Sequence, residues 1–420
     1  MIWIYVLIFV WIFSVLYLIY ILRRDNAFNR HEDSPLGIHP RATMTLQQCN
    51  LLLHQLALPP LICVYLLGIV ETISTLIWKR GLLGAPSHLT TEYAIDQLVK
   101  DAQGISSSTK RTTIITGGDS GIGFEIARGL LMAGFRVIIA SRTSSLGKQA
   151  QHRLKELTGS DDVMFYTLDL CSFDDVHTFV IQMKSFLREE KIDVLINNAG
   201  VMNIPYTVTK DGLEAQCQTN YLSPLLLTVS LLPLMNKDHG HILFASSSTL
   251  YAVNKLDPLM AKTCYTLDGL HHYAHSKMCV TLLAKKLGER LTEHSSCIKV
   301  NSYHPGTVRT NLFAHTSVFN LGGIVRRFFD FIMLTPKEGS GTALYLVTTF
   351  MNNSNNLLLR ENGYYWADGL PQRIPKNISI QSSTIEGSSL STIDKLWTAS
   401  LAQINISPLD VENWIKSTVK

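Results

Sequence analysis

The most constraining feature of this sequence is an alternation, from Arg111 onward, of short β-branched runs with longer segments of helical periodicity. Such alternation is typical of βαβ units, which build a parallel sheet. Most of the short runs are continuously apolar, as strands covered on both faces should be. We therefore predict a doubly wound α/β fold with helices on both faces and about seven strands, at Thr112–Thr116, Arg136–Ala140, Val163–Leu168, Val194–Asn197, His241–Ala245, Ile298–Tyr303 and Tyr364–Trp366.

A glycine-rich turn directly follows the first predicted strand. Glycines let a backbone turn sharply and approach a pyrophosphate, while the next helix offers N–H groups and the positive end of its dipole. A turn of this kind also fits an ordinary strand–helix connection. Its place between the first strand and the first helix favours a dinucleotide site made of Thr116, Gly117, Asp119, Ser120, Gly121, Ile122 and Gly123.

A tyrosine and a lysine four residues apart, Tyr273 and Lys277, lie on one face of a predicted helix. A phenol with a pKa near 10 is a poor base at neutral pH. A nearby ammonium favours the phenolate, so we expect Lys277 to lower the pKa of Tyr273. Tyr273 could then accept a proton from an alcohol or donate one to a carbonyl oxygen.

Five motifs occur in the order found in the short-chain dehydrogenase/reductase superfamily, which this chain resembles from Arg111 to about Ile374. They are the T-G-x3-G-x-G turn, Asn197–Gly200, the serines at 246–248, Y-x3-K and Pro305-Gly306. The resemblance implies a Rossmann-like fold and an NAD(P)-dependent oxidoreductase that interconverts an alcohol and a carbonyl. It also implies the catalytic set Asn220, Ser247, Tyr273 and Lys277, with Ser246 and Ser248 as alternatives to Ser247.

The same resemblance assigns cofactor contacts beyond the glycine-rich turn. No acid follows the second strand, where one would bind the ribose hydroxyls of NAD, and Arg142 could pair with a 2′-phosphate instead. NADP(H) is therefore favoured, with NAD(H) left open. The remaining expected contacts are Asp169, Leu170, Asn198, Ala199, Gly200, Tyr273, Lys277, Pro305, Gly306, Thr307 and Thr310.

The N-terminal part of the chain carries two apolar stretches. Residues 1–22 have no charge and are long enough for a transmembrane helix, although a signal peptide is the rival interpretation. Residues 57–78 contain Glu71 and two prolines, so a second transmembrane helix and an interfacial helix both remain open. We expect linkers at 23–56 and 79–110, the catalytic domain at 111–376 and a C-terminal extension at 377–420.

Orientation in the membrane rests on conflicting charge signals. The basic linker favours a cytoplasmic position for itself, whereas Lys79-Arg80 favour a cytoplasmic catalytic domain. Cofactor supply and scattered cysteines favour the second arrangement, on an endoplasmic reticulum or lipid-droplet membrane. Glycosylation at Asn352, Asn377 or Asn405 would indicate the opposite orientation.

Composition excludes several other classes of function. A net charge of +4 and the lack of a basic run with interleaved aromatics argue against nucleic acid. The seven cysteines form no CxxC pair, which argues against a zinc site and a disulfide framework. We expect no metal. A homodimer remains open.

The substrate is expected to be a lipophilic small molecule. An apolar segment at 312–334 occupies the place of the family's substrate-covering loop, and Arg326-Arg327 within it suit an acidic membrane surface. A long insert before Tyr273, Asn197–Met202 and Thr335–Gly339 resemble the membrane-anchored, retinol-dehydrogenase-like branch and its polyprenol-handling member. That resemblance implies a polyprenol or dolichal substrate, with retinol or a steroid as the alternative. A nucleotide-binding membrane scaffold without turnover is the alternative of another class.

Overall fold

A computed structural model of the chain describes residues 34–36, 58, 60–74, 91–103, 110–253, 255–257, 262, 269–313, 333–351, 362–375, 378–380 and 391–419. Three features predicted from sequence fall wholly or largely outside these residues. They are the first apolar stretch (1–22), the insert before Tyr273, and most of the substrate-covering segment (312–334).

An eight-stranded sheet lies at the centre of the fold, in the order β3-β2-β1-β4-β5-β7-β8-β9. All neighbouring strands are parallel except β8 and β9. The seven predicted strands are present to within one residue at each end. The strands are β1 Thr112–Thr116, β2 Arg136–Ser141, β3 Val163–Thr167, β4 Val194–Asn197, β5 His241–Ala245, β7 Lys299–His304, β8 Tyr365–Ala367 and β9 Leu370–Gln372; β6 (Lys255–Leu256) and β10 (Ser379–Ile380) form a separate parallel pair.

Ten labelled helices accompany the strands in the described residues, together with several shorter helical turns. Before the sheet come α1 (Pro60–Ser74) and α2 (Thr91–Gln103). The others are α3 Gly121–Met132, α4 Ser144–Thr158, α5 Phe173–Leu187, α6 Ser223–Leu231, α7 Leu270–Glu293, α8 Pro336–Met351 and, after the sheet, α9 Thr392–Gln403. A further helix, α10 (Pro408–Ser417), ends the described chain.

Two apolar cores lie on opposite faces of the sheet, and β1 shows how they are filled. Ile114 belongs to one core and Ile115 to the other, because successive side chains of a strand point to opposite faces. The Ile114 core includes α5, α6 and α7, while the Ile115 core includes α2, α3, α4 and α8. The continuous apolar runs in the sequence therefore reflect burial on both sides.

The strand order reverses at β1, which lies between β2 and β4. The chain runs from β1 outward to β3 and then returns to β4 on the other side. In open parallel sheets this switch creates a crevice at the carboxyl ends of the strands, where ligands bind. The glycine-rich turn and the Asn197–Gly200 segment both lie at this crevice.

The second apolar stretch forms helix α1 over part of its length, beginning at Pro60. Proline is well placed at a helix start because its missing N–H would have no helical partner there. Three buried residues of α1, Cys63, Val64 and Leu67, join the core on the α7 side of the sheet. Among the described residues, no helix combines the length and the apolar character needed to cross a bilayer.

The C-terminal extension is more firmly packed than its polar start suggests. Leu396 and Leu401 of α9 and Val411 and Ile415 of α10 are all buried in the core that contains α7. Their helical spacing places apolar side chains on one face, which seals that side of the domain.

Candidate active site

The glycine-rich loop at the end of β1 has the tight shape that a pyrophosphate needs. Gly117 and Gly121 adopt φ angles of +65° and +56°, which glycine tolerates without strain. A Cβ on Gly123 would lie 2.2 Å from the carbonyl oxygen of Gly117, so no larger residue fits there. The backbone can therefore come close to a bound phosphate.

Helix α3 presents its N-terminus to this loop. Ser120 is the N-cap residue, yet its exposed side chain makes no capping hydrogen bond. Asp119 and Ile122 lie half-buried on either side of the cap. The first N–H groups of a helix lack helical partners and carry partial positive charge, so they suit an anion.

The ends of β1 and β4 are joined by hydrogen bonds. Oγ1 of Thr116 accepts from the backbone N–H groups of Asn198 at 3.0 Å and Ala199 at 3.1 Å. Nδ2 of Asn198 donates to the Thr116 carbonyl oxygen at 3.1 Å. A Cβ on Gly200 would lie 3.3 Å from Nζ of Lys277, so this segment connects the loop with the lysine.

The adenosine end of the crevice lies at the end of β2. The hydroxyl of Ser141 is buried and has no hydrogen-bond partner among the residues that the structure describes, while the side chain of Arg142 is exposed. Oδ1 of Asp169 accepts from the backbone N–H of Cys171 at 2.9 Å, and Leu170 is buried beside it. An unpartnered hydroxyl next to a free guanidinium suits a ribose that carries a 2′-phosphate.

The segment after β7 lies against the glycine-rich loop. Pro305 precedes Gly306, whose φ of +85° turns the chain. The methyl group of Thr310 lies 3.1 Å from the position of a Cβ on Gly121, and the carbonyl oxygen of Thr307 accepts from Leu334 N–H at 2.9 Å. The predicted contacts at 305–310 therefore border the same crevice as the loop.

Tyr273 and Ser247 meet at the other end of the crevice. The Ser247 side chain lies close enough to Tyr273 to lower the pKa of the Tyr273 hydroxyl, and both residues are buried. Oγ of Ser247 also accepts from the Thr249 N–H at 3.2 Å and so caps the 3-10 turn Ser248–Ala252. Nζ of Lys277 lies 5.6 Å from the centre of the Tyr273 ring.

The two neighbouring serines are engaged elsewhere. Oγ of Ser246 donates to the carbonyl oxygen of Lys277 at 3.1 Å and bonds the hydroxyl of Thr281 at 2.7 Å. The Ser248 hydroxyl donates to the Glu71 carboxylate. Of the three serines, Ser247 is therefore the one whose side chain interacts with Tyr273.

Asn220 lies in a π-helical turn, Gln218–Leu222, that precedes α6. Its side chain bonds both backbone groups of Val201 at 2.9 Å, and Nδ2 also donates to Oγ of Ser276 at 3.1 Å. Short π-helical segments within helices are frequent at functional sites. Here the turn carries Asn220 into the space between the end of β4 and α7.

Burial shifts the pKa values of Tyr273 and Lys277, and the shift of Tyr273 is opposite to the one that we predicted. We expected Lys277 to lower the pKa of Tyr273. Instead burial raises the pKa of Tyr273 well above its ordinary value; the Ser247 side chain opposes this rise and the charge of Glu71 adds to it. Burial also lowers the pKa of Lys277 to about 8, and its Nζ donates to the Ala245 carbonyl oxygen at 2.9 Å. Loss of solvation is the largest cause of both shifts.

Two residues near this group were not identified from the sequence. Oε1 of Glu71 accepts from Nε2 of His304 at 2.7 Å, and the two side chains are 7% and 8% exposed. The signal for Glu71 was a single carboxylate in an otherwise apolar stretch. Its partner could not be found from sequence because the two residues lie 233 positions apart.

Comparison with known proteins agrees with this geometry. A sequence profile of the short chain dehydrogenase family matches residues 111–319. The human polyprenol dehydrogenase is 35% identical over 246 residues, covering 57% of this chain and 73% of that protein. The chain belongs to the short-chain dehydrogenase family. This short-chain dehydrogenase is also 36% identical to mouse retinol dehydrogenase 11 over 242 residues, which cover 57% of this chain and 73% of that protein.

The fold of this short-chain dehydrogenase is shared by solved structures. An uncharacterized protein from Mycobacterium paratuberculosis superposes with a TM-score of 0.52 at 25% identity, covering 73% of this chain and 97% of that one. The family binds NAD(P)(H), and the glycine-rich loop, the open N-terminus of α3 and the free hydroxyl of Ser141 fit such a group. The protein is an alcohol dehydrogenase or carbonyl reductase by family.

Proposed function

We propose that this enzyme interconverts a lipophilic alcohol and its aldehyde or ketone at a membrane, using NADP(H). The observation that carries the proposal is the juxtaposition of two buried residues, Tyr273 and Ser247, whose side chains interact, with Lys277 one helical turn away. Two neighbouring hydroxyls can hold one substrate oxygen between them, while one of them exchanges a proton with it.

Each residue has a definable part in reduction. The Ser247 hydroxyl donates a hydrogen bond to the carbonyl oxygen, and the Tyr273 hydroxyl delivers the proton as that oxygen becomes an alkoxide. A bound nicotinamide dinucleotide would supply the hydride. Lys277, held by the Ala245 carbonyl, is placed to bind the nicotinamide ribose, and Asn220 fixes the backbone of Val201 beside it. Oxidation is the reverse, with Tyr273 as the proton acceptor.

The preference for NADP(H) rests on the end of β2. Exposed Arg142 can form a paired contact with a 2′-phosphate, and no carboxylate stands at this position to repel it. NAD(H) lacks that phosphate and would leave the guanidinium in water.

A polyprenol or polyprenal is the substrate class that we favour. The support is the 35% identity to human polyprenol dehydrogenase, together with the apolar sequence at 312–334 and the apolar stretch at 1–22. Retinol is the second candidate, because the identity to mouse retinol dehydrogenase 11 is of the same size. Both are long apolar alcohols, so an anchored enzyme could take either from the bilayer.

The proposal is tested by incubating the purified full chain with a membrane lipid extract and either NADPH or NAD, and identifying the converted species by mass spectrometry. Wild-type protein should convert a polyprenal with NADPH. Tyr273→Phe should abolish turnover and leave NADPH binding unchanged, because it removes only the phenolic hydroxyl that carries the exchangeable proton. NADPH binding without turnover of polyprenal, retinal or a ketosteroid in the wild type would instead favour a cofactor-binding scaffold.

A further inference from the structure

Helix α1 lies against the part of the active site that carries the catalytic serine and tyrosine. It packs on the 3-10 turn Ser248–Ala252 and on α7, and its buried residues Cys63, Val64 and Leu67 share a core with Tyr273 and Leu250. Ser247 caps that turn, so α1 contacts the segment that begins at Ser247.

An acidic residue of α1, Glu71, makes polar contacts across this interface. The Glu71 carboxylate receives the hydroxyl of Ser248 on one oxygen and Nε2 of His304 on the other. Ser248 directly follows Ser247, and His304 directly precedes Pro305-Gly306. Glu71 therefore joins the ends of β5 and β7, two adjacent strands of the sheet.

Burial of the Glu71 carboxylate has a cost in desolvation free energy. A carboxylate that loses its water requires strong hydrogen bonds in compensation, and an apolar pair of similar volume would often be as stable. The bond to Glu71 places the proton of His304 on Nε2, and Nδ1 is left buried without a partner among the described residues. Buried ionisable groups next to a catalytic centre are frequently functional.

We propose that Glu71 is a positioning residue for the reaction proposed above. Through its bonds to Ser248 and His304, Glu71 holds α1 across the substrate end of the crevice; we call this pair of bonds the latch. The latch also fixes the 3-10 turn that Ser247 caps. Helix α1 is then a wall of the substrate site and not only a connection to an anchor. Its apolar residues offer a surface for a lipid chain next to the reacting oxygen.

The charge of Glu71 also acts on Tyr273, since it contributes to the raised pKa of that hydroxyl. It acts in the same direction on Tyr365 of β8. The titratable groups that these interactions connect are Glu71 from α1, His304 from β7, Tyr251 from the 3-10 turn, Tyr365 from β8, Asp368 from the turn after β8, and Tyr273 with Lys277 from α7. Removing the negative charge should lower the pKa of Tyr273, so the pH limb set by Tyr273 moves to lower pH in both reaction directions.

Two substitutions distinguish the effect of the hydrogen bonds made by Glu71 from the effect of its negative charge. Glu71→Gln keeps the shape and can still bond Ser248 and His304, so it should shift the pH limb of kcat/KM to lower pH. Glu71→Ala removes both bonds and should lower kcat roughly 10-fold to 100-fold. Thr72→Val is the matched control, because the Thr72 hydroxyl bonds to the Gly68 carbonyl oxygen of its own helix.

The measurements use the full chain with NADPH and two probes, a short polyprenal and retinal, and include NADPH affinity and amide hydrogen exchange across α1. Faster exchange in Glu71→Ala than in Thr72→Val supports the latch; equal exchange overturns it. Unchanged kcat in Glu71→Ala together with an unmoved pH limb in Glu71→Gln overturns the positioning role. A wild-type protein that binds NADPH but turns over neither probe contradicts the proposed function, while the exchange data still test the latch.

Discussion

Lys277, a residue of the proposed active site, lies where the fold disfavours its charge. Its ammonium is fully buried, and the loss of water lowers its pKa to about 8. Its Nζ bond to the Ala245 carbonyl oxygen compensates only in part. At neutral pH the folded chain therefore holds a charge in a place that favours a neutral group.

Replacing this lysine should make the protein more stable and inactive. At pH 7 the buried charge costs roughly 3 kcal/mol by the size of the pKa change, and losing the bond to Ala245 costs about 1 kcal/mol. We expect Lys277→Met to raise the free energy of unfolding by about 2 kcal/mol, measured by urea denaturation at pH 7. Turnover should disappear.

The pH dependence of this gain has a definite sign. Between pH 8 and the usual lysine value of 10.5, the folded state binds fewer protons than the unfolded state, so wild type gains stability as the pH rises. The advantage of Lys277→Met should be complete below pH 8 and shrink above it. An advantage that is constant from pH 7 to pH 10 would show that the charge is not the cause.

At the scale of elements, the junction of β1 and α3 is the part of the site that depends most on backbone shape. Gly123 is the first-turn residue of α3 that packs directly on the Gly117 carbonyl. A side chain there would push the loop away from α3 and alter the direction of the N–H groups that suit a phosphate.

We expect Gly123→Ala to weaken NADPH binding roughly 10-fold or more, measured by fluorescence titration. The contact of 2.2 Å leaves no room for a methyl group. Gly159→Ala is the control: Gly159 has a φ of +67° but nothing lies within 4 Å of its added Cβ. That change should cost about 1 kcal/mol of stability and leave the affinity for NADPH unchanged. Equal loss of affinity in both variants would contradict the role of the loop.

At the scale of the whole molecule, the described chain forms its largest core from segments distant in sequence. Residues of α1, α7, α9 and α10 all enter the same core. We expect Leu401→Ala to lower the free energy of unfolding by about 2–5 kcal/mol in urea denaturation, because Leu401 is fully buried. Leu409→Ala, 66% exposed, should change it by less than about 0.5 kcal/mol. Similar small effects would mean that α9 unfolds separately from the domain.

The sequence predicted the sheet well because each parallel strand carries its own signal. A run such as Val137 to Ala140 is apolar throughout, which a strand buried on both faces requires. Strand β9 was missed because it is short and contains Pro371, a residue that normally argues against a strand. The burial of α9 was missed because the amphipathic spacing does not say what a helix packs against.

The candidate site likewise has features that could be predicted from the sequence and features that could not. The glycine-rich loop and the Y-x3-K pair could be recognised from residue spacing, because each is a short continuous segment of the chain. The raised pKa of Tyr273 could not, because it depends on how deeply the group is buried. Nor could the contact between Glu71 and His304, which exists only once α1 is folded back over β7.

The placement of α1 at one end of the crevice has a consequence for how the two reactants come and go. The opening near Ser120 and Arg142 faces solvent, so a water-soluble nucleotide can exchange there while α1 stays in place. The lipophilic alcohol proposed above would reach Tyr273 from the other end of the crevice, where α1 lies. With two separate routes, the dinucleotide could be exchanged after each reaction while the apolar product leaves without passing through water.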